Sequence, residues 1–128
     1  MLKMNRKLIL LLALVLVAGI LSGCKAKPPE GVNQDFYDDM VECLKKLEKH
    51  RDDKEKNGYD VVQDYLENKV WLASAEKEII EAIDDMYFEV WFYSIADDPN
   101  EHIVKNKIKM VAVLMDMELN MKKLIDKK

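Results

Sequence analysis

The chain has 128 residues, with 20 lysines and arginines against 24 aspartates and glutamates, and a formal net charge of −4 at pH 7. That balance excludes the dense positive charge with which proteins hold a phosphate backbone, so nucleic acid is not an expected partner. The length suits one small domain and is too short for two.

In chain order, the first element reads as an export signal. Lys3, Arg6 and Lys7 precede an apolar run over residues 8–21, the charged and apolar regions of a secretory leader. The run is shorter than the roughly 20 residues a transmembrane helix needs. Leu21-Ser22-Gly23-Cys24 follows, and this tetrapeptide resembles the processing site of bacterial lipoproteins. In that family a peptidase cuts before the cysteine, and the thiol carries a diacylglycerol. The resemblance implies that residues 1–23 are a signal peptide and that Cys24 is the first mature residue and the point of lipid attachment. An uncleaved anchor leaves Ser22 and Gly23 without a purpose and its short apolar run mismatched to the bilayer. Two acyl chains attach a protein stably where one does so marginally. The expected location is therefore the extracytoplasmic face of the cell membrane, or an outer membrane where there is one. The resemblance ends at residue 24.

Removing the signal takes away three positive charges and leaves the mature chain at −7. Residues 60–98 hold eleven acids against Lys69 and Lys77, whereas residues 101–128 hold seven lysines against four acids. Helices of opposite sign attract, so these two segments are expected to pack together. With Cys24 lipidated, Cys43 is the remaining thiol, and no internal disulfide can form. It falls on the stripe Phe36, Met40, Cys43, Leu44 and Leu47 and reads as a small buried hydrophobe.

Residues 24–32 read as a spacer, because Pro28 and Pro29 stand in an otherwise polar stretch. Extended, it lifts the domain by roughly 20 Å, and Lys25 and Lys27 lie close enough to touch anionic headgroups. Residues 33–128 read as an all-α domain. They contain no threonine, and their only glycine and proline are Gly58 and Pro99, which leaves few turn residues for a sheet. Asn33 is the expected N-cap of the first helix, with Val32 and Tyr37 placed as a hydrophobic staple. Residues 48–57 are polar throughout, and Gly58 reads as the stop that follows the helix. Asp60 and Gln63 approximate a capping box opening a second helix of about 36 residues, near 54 Å long. That length outruns its neighbours, so a break over residues 68–74 is expected. Asp98-Pro99 with Glu101 marks the start of a last helix reaching Ile125. Short connections then predict an antiparallel bundle of three long helices, or four if the middle one breaks.

Residues 86–95 are the densest apolar stretch outside the signal. On a helical wheel Ile79, Ile83, Met86, Tyr87, Val90 and Trp91 share one face, while Phe88, Phe92 and Ile95 point the other way. One reading buries this helix on both sides. Another exposes Phe88, Phe92 and Ile95, flanked by Glu81, Asp84 and Asp85, as a partner-binding patch. A strand is the third.

Met110, Met115, Met117 and Met121 are soft donors suited to Cu(I), but they do not share one helical face and read as gap-filling core. His50 and His102 stand in no metal-binding helical spacing. Ser74 and Ser94 have no histidine at helical spacing, Asp52-Asp53 and Asp84-Asp85 diverge around a helix, and there is no glycine-rich phosphate loop. No catalytic residue, metal site or cofactor is therefore assigned. The expected function is that of a non-enzymatic interaction or scaffold module held on the membrane through diacylglyceryl-Cys24, its partner an envelope or extracellular protein. The alternative is a binder of an apolar small molecule or soft metal between the helices.

Overall fold

A computed structural model describes residues 27–126 and is all-helical, with no strand among them. The elements are α1 (Gln34–His50), α2 (Tyr59–Glu67), a 3₁₀ turn (Lys69–Trp71), α3 (Ser74–Ile95), α4 (Glu101–Met115) and α5 (Met121–Ile125). The three long helices expected from the sequence are thus five shorter ones. The anticipated break over residues 68–74 is present and the strand reading of residues 86–95 gives way to helix, while the early end of α1 and one further break, after Met115, depart from the expectation.

Asn33 caps α1, its side chain accepting from the Asp35 amide. Val32, Phe36, Tyr37, Met40, Cys43, Leu44 and Leu47 are all buried, as one face of a helix requires. The helix ends at His50 rather than at Gly58. The chain turns over residues 51–57, where the Asp53 carbonyl accepts from the Lys56 and Asn57 amides. The Arg51 guanidinium meanwhile reaches the carbonyls of Leu124 and Asp126, covering the end of α5. Gly58 does take a positive φ of 86°, but as the residue that opens α2. The expected Asp60–Gln63 box is absent because the helix begins one residue before Asp60, and the Asn57 side chain accepts from the Tyr59 amide instead.

At the break after α2, Glu76 replaces the cap the sequence lacks. Its buried carboxylate accepts from the Ala73 amide at 2.8 Å and from the Asn33 amide at 3.0 Å. One side chain thereby satisfies donors at the starts of both α1 and α3.

The last expected helix begins two residues late, since Asn100 rather than Asp98 accepts from the His102 amide. It also stops early. Asp116 adopts φ 49°, with Met117 donating to Ala112 and Asp116 to Val113, the bond pair of a Schellman ending. Of the four methionines read as gap-filling core, Met115 is fully buried but Met110 is half exposed, which corrects that reading for Met110.

Helix α3 is the centre of the core. Ile79, Ile80, Ala82, Ile83, Met86, Tyr87 and Val90 are buried together with Val62 of α2, Leu124 of α5 and Val104, Ile108, Val111 and Met115 of α4. Helices α3 and α4 make the most extensive contact in the fold, so the acidic and basic segments do lie together. Between them, Lys107 meets Asp85 at 3.5 Å, and an exposed pair of this kind contributes no more than about 1 kcal/mol. Apolar burial, rather than charge, holds the pair.

Two buried tyrosines tie the backbone across the core. The Tyr37 hydroxyl donates to the Met115 carbonyl at 2.7 Å. The Tyr87 hydroxyl lies 2.8 Å from the Cys43 carbonyl and 2.7 Å from that of Asn57, bracing the segment that leads into Gly58.

Burial pushes the Cys43 thiol up from its ordinary 9.0 to about 12. The hydrogen bond to Asp84, with some burial, raises Tyr59 from 10.0 to about 12, and burial raises Tyr87 further. Each group is harder to ionise folded than unfolded, so its contribution is complete below the unfolded value and is lost as pH rises towards the folded one. Urea titrations should therefore show a midpoint that falls progressively between pH 9 and 12. Cys43 should react with a thiol reagent at pH 8 only after denaturant is added; rapid labelling of the native protein would contradict this burial.

Candidate functional site

The outer face of the C-terminal half of α3 is left about half exposed. The inner face is fully used by the core, and the same periodicity that sends Met86, Tyr87 and Val90 inward sends Phe88, Phe92 and Ile95 outward. Trp91, assigned to the buried face from its wheel position, is exposed as well. These four side chains retain between 43% and 58% of their accessible surface. The reading that buries this helix on both sides is therefore corrected: core covers one side only.

The four residues form one patch. Phe88 and Phe92 stack with centroids 6.1 Å apart and rings inclined by 14°, and Phe88 and Trp91 meet at 5.9 Å. Lys54, from the turn after α1, places its ammonium 5.7 Å from the Trp91 ring, a cation–π contact. Arg51, Asp52, Lys54, Asn57, Trp91, Ser94 and Ile95 line an open cleft along one edge, where Arg51 pairs with Asp52 at 3.0 Å. One turn further towards the start of α3 the face becomes acidic, yet its charges are engaged: Glu81 bridges to Lys69 at 2.9 Å, Asp84 accepts from Tyr59 at 2.7 Å, and Asp85 faces Lys107. The patch is thus apolar and aromatic, with the Lys54 ammonium on one edge and an acidic border.

Such a surface can adhere, through aromatic burial and cation–π contacts. It holds no nucleophile poised for attack: the Ser94 hydroxyl donates back to the Trp91 carbonyl at 2.6 Å, a local helical bond. His102 is exposed and His50 half-buried, and they lie on different helices. Among the described residues no three histidine, cysteine, aspartate or glutamate side chains gather as a metal-binding group.

The structure thus puts Phe88, Phe92 and Ile95 on one surface and adds Trp91, which the wheel reading had grouped with the inner face although it is three residues from Phe88 and four from Ile95, and Lys54. Lys54 reaches the patch through the turn after α1, a tertiary contact with no signature in helical periodicity. Cys24 lies outside the described residues. No helix among the described residues is long and apolar enough to cross a membrane. No protein-family model, curated protein or solved structure matches this chain.

Proposed function

We propose that this chain is a lipid-anchored helical module on the extracytoplasmic side of the cell membrane, which acts by binding an envelope or extracellular protein rather than by turnover. Cys24 is the point of attachment, and Phe88, Phe92 and Ile95, with Trp91, are the binding surface. The observation that supports this reading is the exposed aromatic cluster and its place on α3. Ser74, at the start of that helix, is next to the entry of the tether. Phe88 to Ile95 lie roughly 20–30 Å further along at 1.5 Å per residue. The apolar patch therefore stands away from the anchored end, where a partner can reach it. Aromatic side chains dominate protein interfaces, and a cluster of them left in water is a liability unless it is used.

Chemical crosslinking on intact cells, followed by recovery of the anchored protein, tests the reading. The Phe88→Ser/Phe92→Ser double variant should keep its helical circular dichroism and lose its crosslinked partner. A partner retained undiminished would remove the patch from the interface, and a collapse of helicity would assign Phe88 and Phe92 to the core.

A further inference from the structure

Trp71, the most exposed large apolar side chain among the described residues, stands elsewhere with Val70 in the 3₁₀ turn between α2 and α3, and only Val113 of α4, at 79%, is comparably exposed. Val70 keeps 76% of its surface and Trp71 keeps 85%. Their position relative to the tether is fixed by three contacts. Gly31 lies so close to Ala75 that a Cβ on it would stand 3.5 Å from the Ala75 methyl. The Asn33 and Ala73 amides share the Glu76 carboxylate at 3.0 and 2.8 Å. The tether therefore joins the domain against the first turn of α3, and Trp71 is two residues before Ala73, no more than about 8 Å away at 3.8 Å per residue.

The tether itself is short. Pro29 to Val32 is already a turn on the body of the domain, with the Val32 amide donating to the Pro29 carbonyl at 3.1 Å and Val32 buried. From Cys24 to that turn the chain spans roughly 15 Å when extended. A lipid on Cys24 consequently holds the end of the domain that carries Val70 and Trp71 within reach of the headgroups.

We infer that the Lys69-Val70-Trp71 turn is a second membrane contact, in which the Trp71 indole and Val70 enter the interfacial region of the bilayer. This rests on the lipid-anchor reading given above. Tryptophan suits that location because its ring is apolar while its N–H keeps a polar partner at headgroup depth. A single side chain of this kind binds a membrane weakly, but on a tethered domain its encounter with the surface is intramolecular and needs little affinity. With its tether end and its tryptophan turn both on the lipid, the domain has a defined face towards the membrane. Helix α3 then points its far end, and the aromatic patch, outwards.

Trp71 and Trp91 are the only two tryptophans, so each can be observed alone. The full chain is expressed, extracted from membranes as Trp91→Phe or Trp71→Phe, and reconstituted into phosphatidylcholine vesicles containing some phosphatidylglycerol, with or without a nitroxide near the lipid headgroup. Trp71 emission should move to shorter wavelength and lose most of its intensity to the nitroxide, whereas Trp91 should keep its emission. Trp71 emission that stays unquenched on protein carrying the Cys24 lipid overturns the membrane contact and leaves the anchor standing. Protein found without lipid on Cys24 overturns the anchor itself. The same variants, coupled through Cys24 to a maleimide lipid while Cys43 stays buried, then still decide whether the turn enters the bilayer.

Discussion

Replacing Gly58 with alanine is expected to remove about 3 kcal/mol of folding stability, combining left-handed strain with overpacking. Gly58 has φ 86°, and a Cβ there would meet the Cys43 Cα at 2.9 Å, the Cys43 oxygen at 3.0 Å and the Tyr87 hydroxyl at 3.1 Å. Two of those three atoms are helix backbone, which cannot yield without moving α1. The third braces the Cys43 and Asn57 carbonyls, so its displacement leaves buried acceptors unsatisfied. Loss of glycine's freedom in the unfolded chain acts in the opposite direction by only about 0.4–1 kcal/mol and does not change the sign. For a domain of this size the expected loss corresponds to a fall in Tm of roughly 15 °C. Gly31→Ala is the matched control. It has a similar φ of 82°, but its new methyl would meet only the Ala75 side chain, at an ordinary 3.5 Å, so it should cost about 1 kcal/mol through backbone strain alone. Calorimetry showing equal losses for the two variants would remove the steric component from this account.

The second large effect concerns location. Cys24→Ser should abolish incorporation of a fatty-acid label completely, because the hydroxyl cannot replace the thiol as the acceptor of diacylglycerol in the family that the Leu21-Ser22-Gly23-Cys24 site resembles. Intact-protein mass is the direct measurement: the parent should begin at Cys24 and carry a diacylglyceryl group, and the variant should carry none. A single added chain holds a protein marginally and two hold it stably, so a processed variant should leave the membrane fraction. A labelled Cys24→Ser protein, or a parent of unlipidated mass, would overturn the anchor. Stability should not change in either case, since α1 begins ten residues further on.

The helical class and the stripe of α1 were legible from residue types alone. Phe36, Met40, Cys43, Leu44 and Leu47 repeat at the helical period and have no competing pattern, and the chain lacks the turn residues a sheet needs. The break over residues 68–74 was legible for a geometric reason: one helix of that length would leave its neighbours. The other interruptions were not. Asp116 takes a left-handed conformation that its sequence neighbours do not demand, and the end of α1 depends on Arg51 finding the carbonyls of α5 some seventy residues away. Likewise Asn57 and Asn100 displaced the acidic caps expected at Asp60 and Asp98, because several residues in each turn could cap and only the packed helix decides which is in place.

The candidate surface divides in the same way. Helical spacing alone separates Phe88, Phe92 and Ile95 from the face of Ile79, Ile83 and Met86, but it is equally consistent with a helix buried on both sides. Exposure is a property of what lies opposite, and α1, α2 and α4 supply cover to only one side of α3. Trp91, grouped with the inner face, stands three residues after Phe88 and four before Ile95, so helical spacing itself sets it at the border of the outer face, where it is 43% exposed. What the sequence determined by itself was therefore local: the helical periodicity, the charge of each segment and the resemblance of Leu21-Ser22-Gly23-Cys24 to a lipoprotein site, each read from neighbours in the chain. What only the tertiary structure decided was which faces stay in water, and that the turn carrying Val70 and Trp71 stands near residues 31–33 while the aromatic patch lies far along α3 from them. These depend on contacts such as Glu76 with Asn33, which join residues distant in the chain and leave no local pattern to read.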